Sequence, residues 1–122
     1  MVVKAVFDTN ILIDYLNQDK RAKKELELYD RRLISLVTQI EILVGAKDKA
    51  DEAELRRFLR HFELCEISAE ISEICIRLRQ KHKIRIPDAL IWATALQAEC
   101  QLVTRNSRDF DTGHPSVRIP YR

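Results

Sequence analysis

Glycine is nearly absent: Gly45 and Gly113 are the only two in 122 residues. A phosphate-cradling loop of the dinucleotide or nucleoside-triphosphate kind needs several glycines close together, so none is encoded here. Cysteine is scarce and odd in number. Cys65, Cys75 and Cys100 stand apart, with no C-x-x-C pair. They read as reduced, buried thiols rather than a disulfide frame. His61, His82 and His114 share no zinc-ligand spacing. Long apolar runs are missing too. Lys4, Asp8 and Asp14 interrupt the start, which argues against a secretory signal. No stretch reaches the ~18 apolar residues of a membrane span, and the expectation is a cytoplasmic protein.

What remains is an ordinary globular composition, 46% hydrophobic and 33% charged. The length implies one domain, 1–122, able to bury roughly two thirds of its unfolded surface without a metal or a cross-link. The formal net charge is +2, but that average hides an asymmetry. Four acids discussed below sit at junctions between elements. Without them, 21 basic residues face 15 acidic ones, leaving +6. A basic body around an acidic centre suits a polyanionic substrate held through cations.

Periodicity organises the chain as alternating strands and helices. Residues 2–7 are valine-rich and too short for a helix, so they read as a buried strand. Helices are predicted over 10–17 and 20–30, with Leu26 and Tyr29 facing inward, and a second strand over 33–36. Thr38, with Glu41 three residues later, forms a capping-box pattern for a helix ending near Gly45. Leu55, Phe58, Leu59 and Phe62 mark one apolar face of a helix over 50–62. A weak strand at 64–67 follows, then a helix over 69–83 capped by Ser68. Pro87 suits a first helical turn, and the helix over 88–99 is apolar nearly all round, hence buried. Strands are predicted at 101–103 and 117–119. This alternation predicts an α/β fold, a three-layer α/β/α sandwich around a mainly parallel sheet.

The four acids are Asp8 after the first strand, Glu41, Asp88 at the start of the apolar helix, and Asp109 after the fourth strand. In open α/β sheets such junctions converge at one edge. Two carboxylates ~5 Å apart repel by about 3 kcal/mol at an effective dielectric of ~20. Three such pairs approach ~10 kcal/mol, comparable to a whole domain's stability. Proton uptake relieves the repulsion, and so does a bound cation. Oxygen-only ligands select a hard ion, Mg²⁺ or Mn²⁺, whose chemistry is water activation and in-line phosphoryl displacement. Each acid also has a plainer role: Asp8 as a helix cap, Glu41 as the capping-box partner, Asp88 at a helix dipole, Asp109 in a turn.

The segments Val-Phe-Asp8-Thr9-Asn10-Ile-Leu-Ile-Asp14, Ser35 with Thr38-x-x-Glu41, Pro-Asp88-Ala89-x-Ile91-x-Ala93-x-Ala95 and Leu102-Val103-Thr104-Arg105-Asn106-x-x-Asp109-Phe110 together resemble a PIN domain. Their order and the chain length resemble the stand-alone VapC-type toxins of toxin–antitoxin pairs. The resemblance covers essentially the whole chain. It implies a Mg²⁺- or Mn²⁺-dependent endoribonuclease with Asp8, Glu41 and Asp88 as ligands, a homodimer, and a small antitoxin in the groove. One departure stands out: some members carry an acid where this chain has Asn106, and here the acid is Asp109. We expect Asp109 to act through a water or on a second ion. Asn106 and Asn10 are expected to support the ligand acids, with Thr104 orienting the cluster through its hydroxyl.

Arg105 and Arg108 flank the fourth acid and are candidate RNA contacts. The run Arg77, Arg79, Lys81, His82, Lys83 and Arg85 is either an electrostatic rail for RNA or a solvated helix end. The Leu55–Phe62 stripe reads as core, or in part, with Leu26 and Tyr29, as a groove for an antitoxin helix. A phosphoacceptor receiver domain would need paired acids after the first strand and a late lysine. A haloacid-dehalogenase-like phosphatase would need a second acid at position 10, which is Asn. The non-enzymatic alternative is a degenerate domain that binds RNA or protein without cleaving.

Overall fold

The computed structural model describes residues 2–122. Its five strands are β1 (Lys4–Phe7), β2 (Arg31–Ser35), β3 (Glu63–Cys65), β4 (Gln101–Val103) and β5 (Val117–Arg118). They form one sheet in the order β3-β2-β1-β4-β5, every pair parallel. Six helices connect them: α1 (Thr9–Leu16), α2 (Lys20–Glu27), α3 (Leu36–Val44), α4 (Lys49–Leu59), α5 (Ala69–Lys81) and α6 (Ile86–Gln97). The α/β sandwich expected from the sequence is therefore present, with a wholly parallel sheet.

Strand alternation divides the interior into two cores. Val6 of β1 and Leu102 of β4 face a cluster that includes Ile71 and Cys75 of α5 and Ala89, Ile91 and Trp92 of α6. Their neighbours Ala5, Phe7 and Val103 face the opposite cluster, with Ile11 and Leu12 of α1, Ala22 and Leu26 of α2, and Leu59 of α4. Both faces of β1 are buried, which is why it reads as a continuous apolar run. The apolar helix α6 buries Ile91, Trp92, Ala93, Thr94 and Ala95. Trp92 Nε1 donates to Ser116 Oγ at 2.8 Å, satisfying the one polar atom its burial strands.

The caps agree with the sequence at Ser68, whose Oγ accepts from the Ile71 amide at 3.2 Å. They differ at Thr38. β2 runs to Ser35 and α3 starts at once, so Ser35 is the cap and accepts from the Val37 amide at 3.1 Å. Thr38 is already inside the first turns of α3 and fully buried. Its partnership with Glu41 is therefore not a capping box. α4 stops at Leu59, and Phe62 packs against the second core from the turn that follows.

Cys75 is buried, Cys65 and Cys100 are half-buried, and all three are free. Burial is the largest influence on each thiol and pushes all three pKa values up, so none is a ready thiolate. At the far edge of the sheet, Arg118 of β5 grips buried Glu25 of α2 through two bonds of 2.6 and 3.0 Å. Tyr29 Oη adds a third at 2.9 Å. Burial works against the Glu25 charge, but the arginine and the phenol overcome it and leave the carboxyl below its usual pKa.

Candidate active site at the carboxyl edge of the sheet

The strand order reverses at β1, with β2 on one side and β4 on the other. Such switch points open a crevice beyond the carboxyl ends of the strands. Asp8 occupies this one. Its amide donates to Val103 O at 2.9 Å, so the end of β4 fixes it in place. Its carboxylate caps α1, with Oδ1 accepting from the Thr9 amide at 2.8 Å. Oδ2 accepts from Thr104 Oγ1 at 2.7 Å and from Asn10 Nδ2 at 3.2 Å. Asp8 is only 4% exposed.

Burial is the largest influence on Asp8 and raises its pKa to about 6. The Thr104 and Thr9 hydrogen bonds pull the other way without prevailing, and the charges of Asp88 and Glu41 push it up further. Asp88, half-buried in the first turn of α6, is also raised. Burial is again the first cause; Arg85 opposes it, and Asp109 and Glu41 reinforce it. The acids named from the sequence thus bear on one another in part, Asp88 and Glu41 on Asp8, and Asp109 and Glu41 on Asp88. Glu41 lies on the exposed side of α3, where Thr9 Oγ1 donates to its Oε1 at 2.6 Å and stands 3.1 Å from Thr38 Oγ1. Among the described residues, no three Asp, Glu, His or Cys side chains are grouped tightly enough to hold a metal ion as they stand.

The loop after β4 is organised by its own side chains. Thr104 Oγ1 donates to Asp8 and accepts from Asn10 Nδ2 at 3.2 Å and from the Asn106 amide at 3.0 Å, which uses its full capacity. Asn106 Oδ1 accepts from the amides of Arg108 and Asp109 at 3.2 and 3.1 Å. Asn106 Nδ2 donates to Asp109 Oδ2 at 2.9 Å. Asn106 therefore spends its oxygen on the turn and its amide on the fourth acid. Asn10 accepts from the Arg105 amide at 3.1 Å, tying the loop to α1.

The basic residues divide. Arg108 is exposed beside Asp109. Arg105 instead pairs with Asp14 through bonds of 2.7 and 3.1 Å. Asp14 ends the first of the family-like segments but had no role assigned to it, and its partner is 91 positions away. In the basic run, Arg79 ties down the connector by donating to Ile84 O at 2.6 Å, and His82 packs against Trp92 at 5.0 Å. Arg77, Lys81, Lys83 and Arg85 are exposed.

On the other side of α1, Tyr15 stacks on Phe58 at 5.5 Å, and Phe58 meets Phe62 edge-on at 5.3 Å. With Leu26 they line a groove of about 290 Å³ rimmed by Lys23, Glu27, Arg32 and His61. No helix among the described residues is long and apolar enough to cross a membrane.

Comparisons with known proteins agree with this fold. The chain is 31% identical over 113 residues to ribonuclease VapC1 of Methanocaldococcus jannaschii, covering 88% of this chain and 79% of that protein. A toxin–antitoxin complex from Klebsiella pneumoniae contains a chain with a TM-score of 0.90 and 44% identity, covering 96% of this chain and 98% of that one. VapBC2 of Rickettsia felis, solved bound to a promoter DNA fragment, shares the fold with a TM-score of 0.80 at 24% identity over 94% of this chain and 96% of that one. The PIN-domain family model matches residues 5–112, and the chain belongs to that family, alongside its VapC-like members.

Proposed function

We propose that the protein is a Mg²⁺- or Mn²⁺-dependent endoribonuclease, the toxin of a toxin–antitoxin pair. One observation carries the reading: Asp8 is buried at the switch point with a raised pKa, and Asp88 and Glu41 bear on it. An acid so placed either holds a proton or waits for a cation. The donors are all oxygen, which matches a hard divalent ion. Asp8, Glu41 and Asp88 would hold the ion, and Asp109 would act through a water or on a second ion. When bound, it supplies positive charge at the scissile phosphate and lowers the pKa of an attacking water.

The chain's own residues do the rest. Thr104 and Asn10 orient Asp8, and Asn106 aims Asp109. Arg108 and the exposed cations at the end of α5 attract phosphates along the crevice. The stacked groove of Tyr15, Phe58 and Phe62 suits an apolar helix face of a small antitoxin. The relatives solved as toxin–antitoxin complexes support that partner. A second copy of the chain would cover exposed Ile76 and Ile86, which line one apolar depression on α5 and α6.

The open spacing of the acids also favours a second reading, a domain that binds RNA without cutting it. One experiment decides between them. The purified chain is incubated with single-stranded RNA and Mg²⁺ or Mn²⁺. Cleavage leaving 5′-phosphate ends, lost in Asp8→Asn, is the expected result. Binding without cleavage, or cleavage that persists in excess EDTA, overturns it.

A further inference from the structure

Asp14 lies six residues beyond Asp8 on α1 and belongs to none of the ligand positions. Both of its oxygens are nonetheless engaged. Arg105 Nε and Nη2 donate to its two oxygens at 2.7 and 3.1 Å. Tyr121 Oη donates to Oδ2 at 2.9 Å. Tyr121 is itself held, with the Arg21 guanidinium 4.5 Å above its ring and Arg21 Nη1 donating to Arg122 O at 3.2 Å. Asp19 fixes Arg21 in turn, at 2.9 Å. The last two residues of the chain thus brace one ion pair on the flank of α1.

The position of that arginine gives the pair its meaning. Arg105 directly follows Thr104, whose hydroxyl contacts Asp8. Its amide is fixed to Asn10, which also contacts Asp8. The guanidinium is therefore rooted at the edge of the acid crevice and turned away from it. Guanidinium groups match carboxylates in two-pronged geometry, and the Asp8 carboxylate is bonded to both residues that anchor Arg105, Thr104 beside it in the chain and Asn10 on its amide. An arginine tethered this close competes as an intramolecular group, at an effective concentration on the order of millimolar.

We propose that Asp14 is a positioning residue that holds Arg105 against α1 and so keeps a built-in cation out of the metal crevice. Tyr121 and Arg21 reinforce the restraint from the C-terminal end. The inference rests on the metal-dependent reading above, and its test reads metal binding rather than cleavage.

Mn²⁺ affinity is measured by titration calorimetry on wild type, Asp14→Ala, Arg105→Ala and the double variant. Asp14→Asn, which keeps the shape and loses the charge, is run beside them in case the alanine variant fails to fold. Loss of Asp14 is expected to weaken Mn²⁺ binding by about tenfold, the scale of a tethered competitor. Removing Arg105 as well returns affinity to within about threefold of wild type, a rescue that merely structural damage would not give. Unchanged affinity in the Asp14 variants overturns the proposal, as does a double variant no better than the single. Wild type that binds no Mn²⁺ overturns the metal reading and this proposal with it, a result distinct from the other two.

Discussion

Thr104 donates its hydroxyl proton to Asp8 at 2.7 Å across 96 positions of sequence, and the same oxygen accepts from Asn10 and Asn106. One small side chain thereby joins the ends of β1 and β4 to the first turn of α1 and to the loop carrying the fourth acid. Removing it leaves the Asn106 amide without a partner and takes one bond each from Asp8 and Asn10, which still hold each other.

Thr104→Val keeps the volume and deletes the hydroxyl. An unpaired buried polar group costs about 1–3 kcal/mol, so the variant should lose at least that much stability in urea unfolding. Asp8 also loses a bond that lowers its pKa, so the acid limb of the cleavage profile should move to higher pH. An unchanged profile would mean that the hydroxyl does not set the Asp8 charge.

The burial of Asp8 makes metal-free stability depend on pH. The folded protein keeps the Asp8 proton up to about 6, whereas the model carboxyl loses it near 3.8. Between those values the folded state binds more protons, so its stability falls as pH rises. The full effect is on the order of 3 kcal/mol. Melting of wild type and Asp8→Asn from pH 4 to 7 should show a descending step in wild type that the variant lacks. The gain in Asp8→Asn at neutral pH should be smaller than that step. Thr104 Oγ1 has both acceptor sites filled, so an amide nitrogen at position 8 meets a group with nothing left to accept it.

Metal binding should run against that proton. Mg²⁺ at 100 times Kd raises stability by about 2.7 kcal/mol. Because the ion needs Asp8 ionised, the thermal shift should be large at pH 8 and small at pH 5. An identical shift at both pH values would separate the ion from Asp8.

Asn106 and Asp109 should behave as one unit. Asn106→Ala frees the Asp109 carboxylate and two loop amides. Its rate loss should match that of Asp109→Asn, both partial, and the double variant should be little worse than either. The measurement is cleavage rate against Mg²⁺ concentration, with Asp8→Asn as the inactive reference. If Asp109→Asn is as inactive as Asp8→Asn at saturating Mg²⁺, the acid is a primary ligand and this ordering fails.

Asp8 and Asp88 drew notice in the sequence because they sit where an apolar run ends or begins, and parallel strands carry such junctions to one edge, whereas Glu41 lies inside α3 rather than at a junction. Asn10 and Thr104 were expected to support the acids, and both bond to the Asp8 carboxylate. Thr38 misled because Ser35, Thr38 and Glu41 offer two overlapping capping patterns, and only the true end of β2 chooses between them. Asp14 closes the first family-like segment, yet its role was not legible, for another reason. Its partners Arg105 and Tyr121 lie 91 and 107 positions away, and no local pattern reports a contact made by the closing of the sheet. Arg105 was read as a substrate contact on proximity to the acids alone, before its pairing with Asp14 was known.

The two-sided burial of β1 constrains how this chain can change length. Adding or deleting one residue between Lys4 and Phe7 exchanges the side chains sent to each core. It also moves Asp8 by about 3.3 Å, one strand residue, relative to Val103 and Thr104. Packing and chemistry therefore fail together at that strand. A shift of frame there has no intermediate that keeps one and loses the other. The groove beside α4 is built wholly on the second core, so partner choice can drift through Phe58 and Phe62 while the crevice stays fixed.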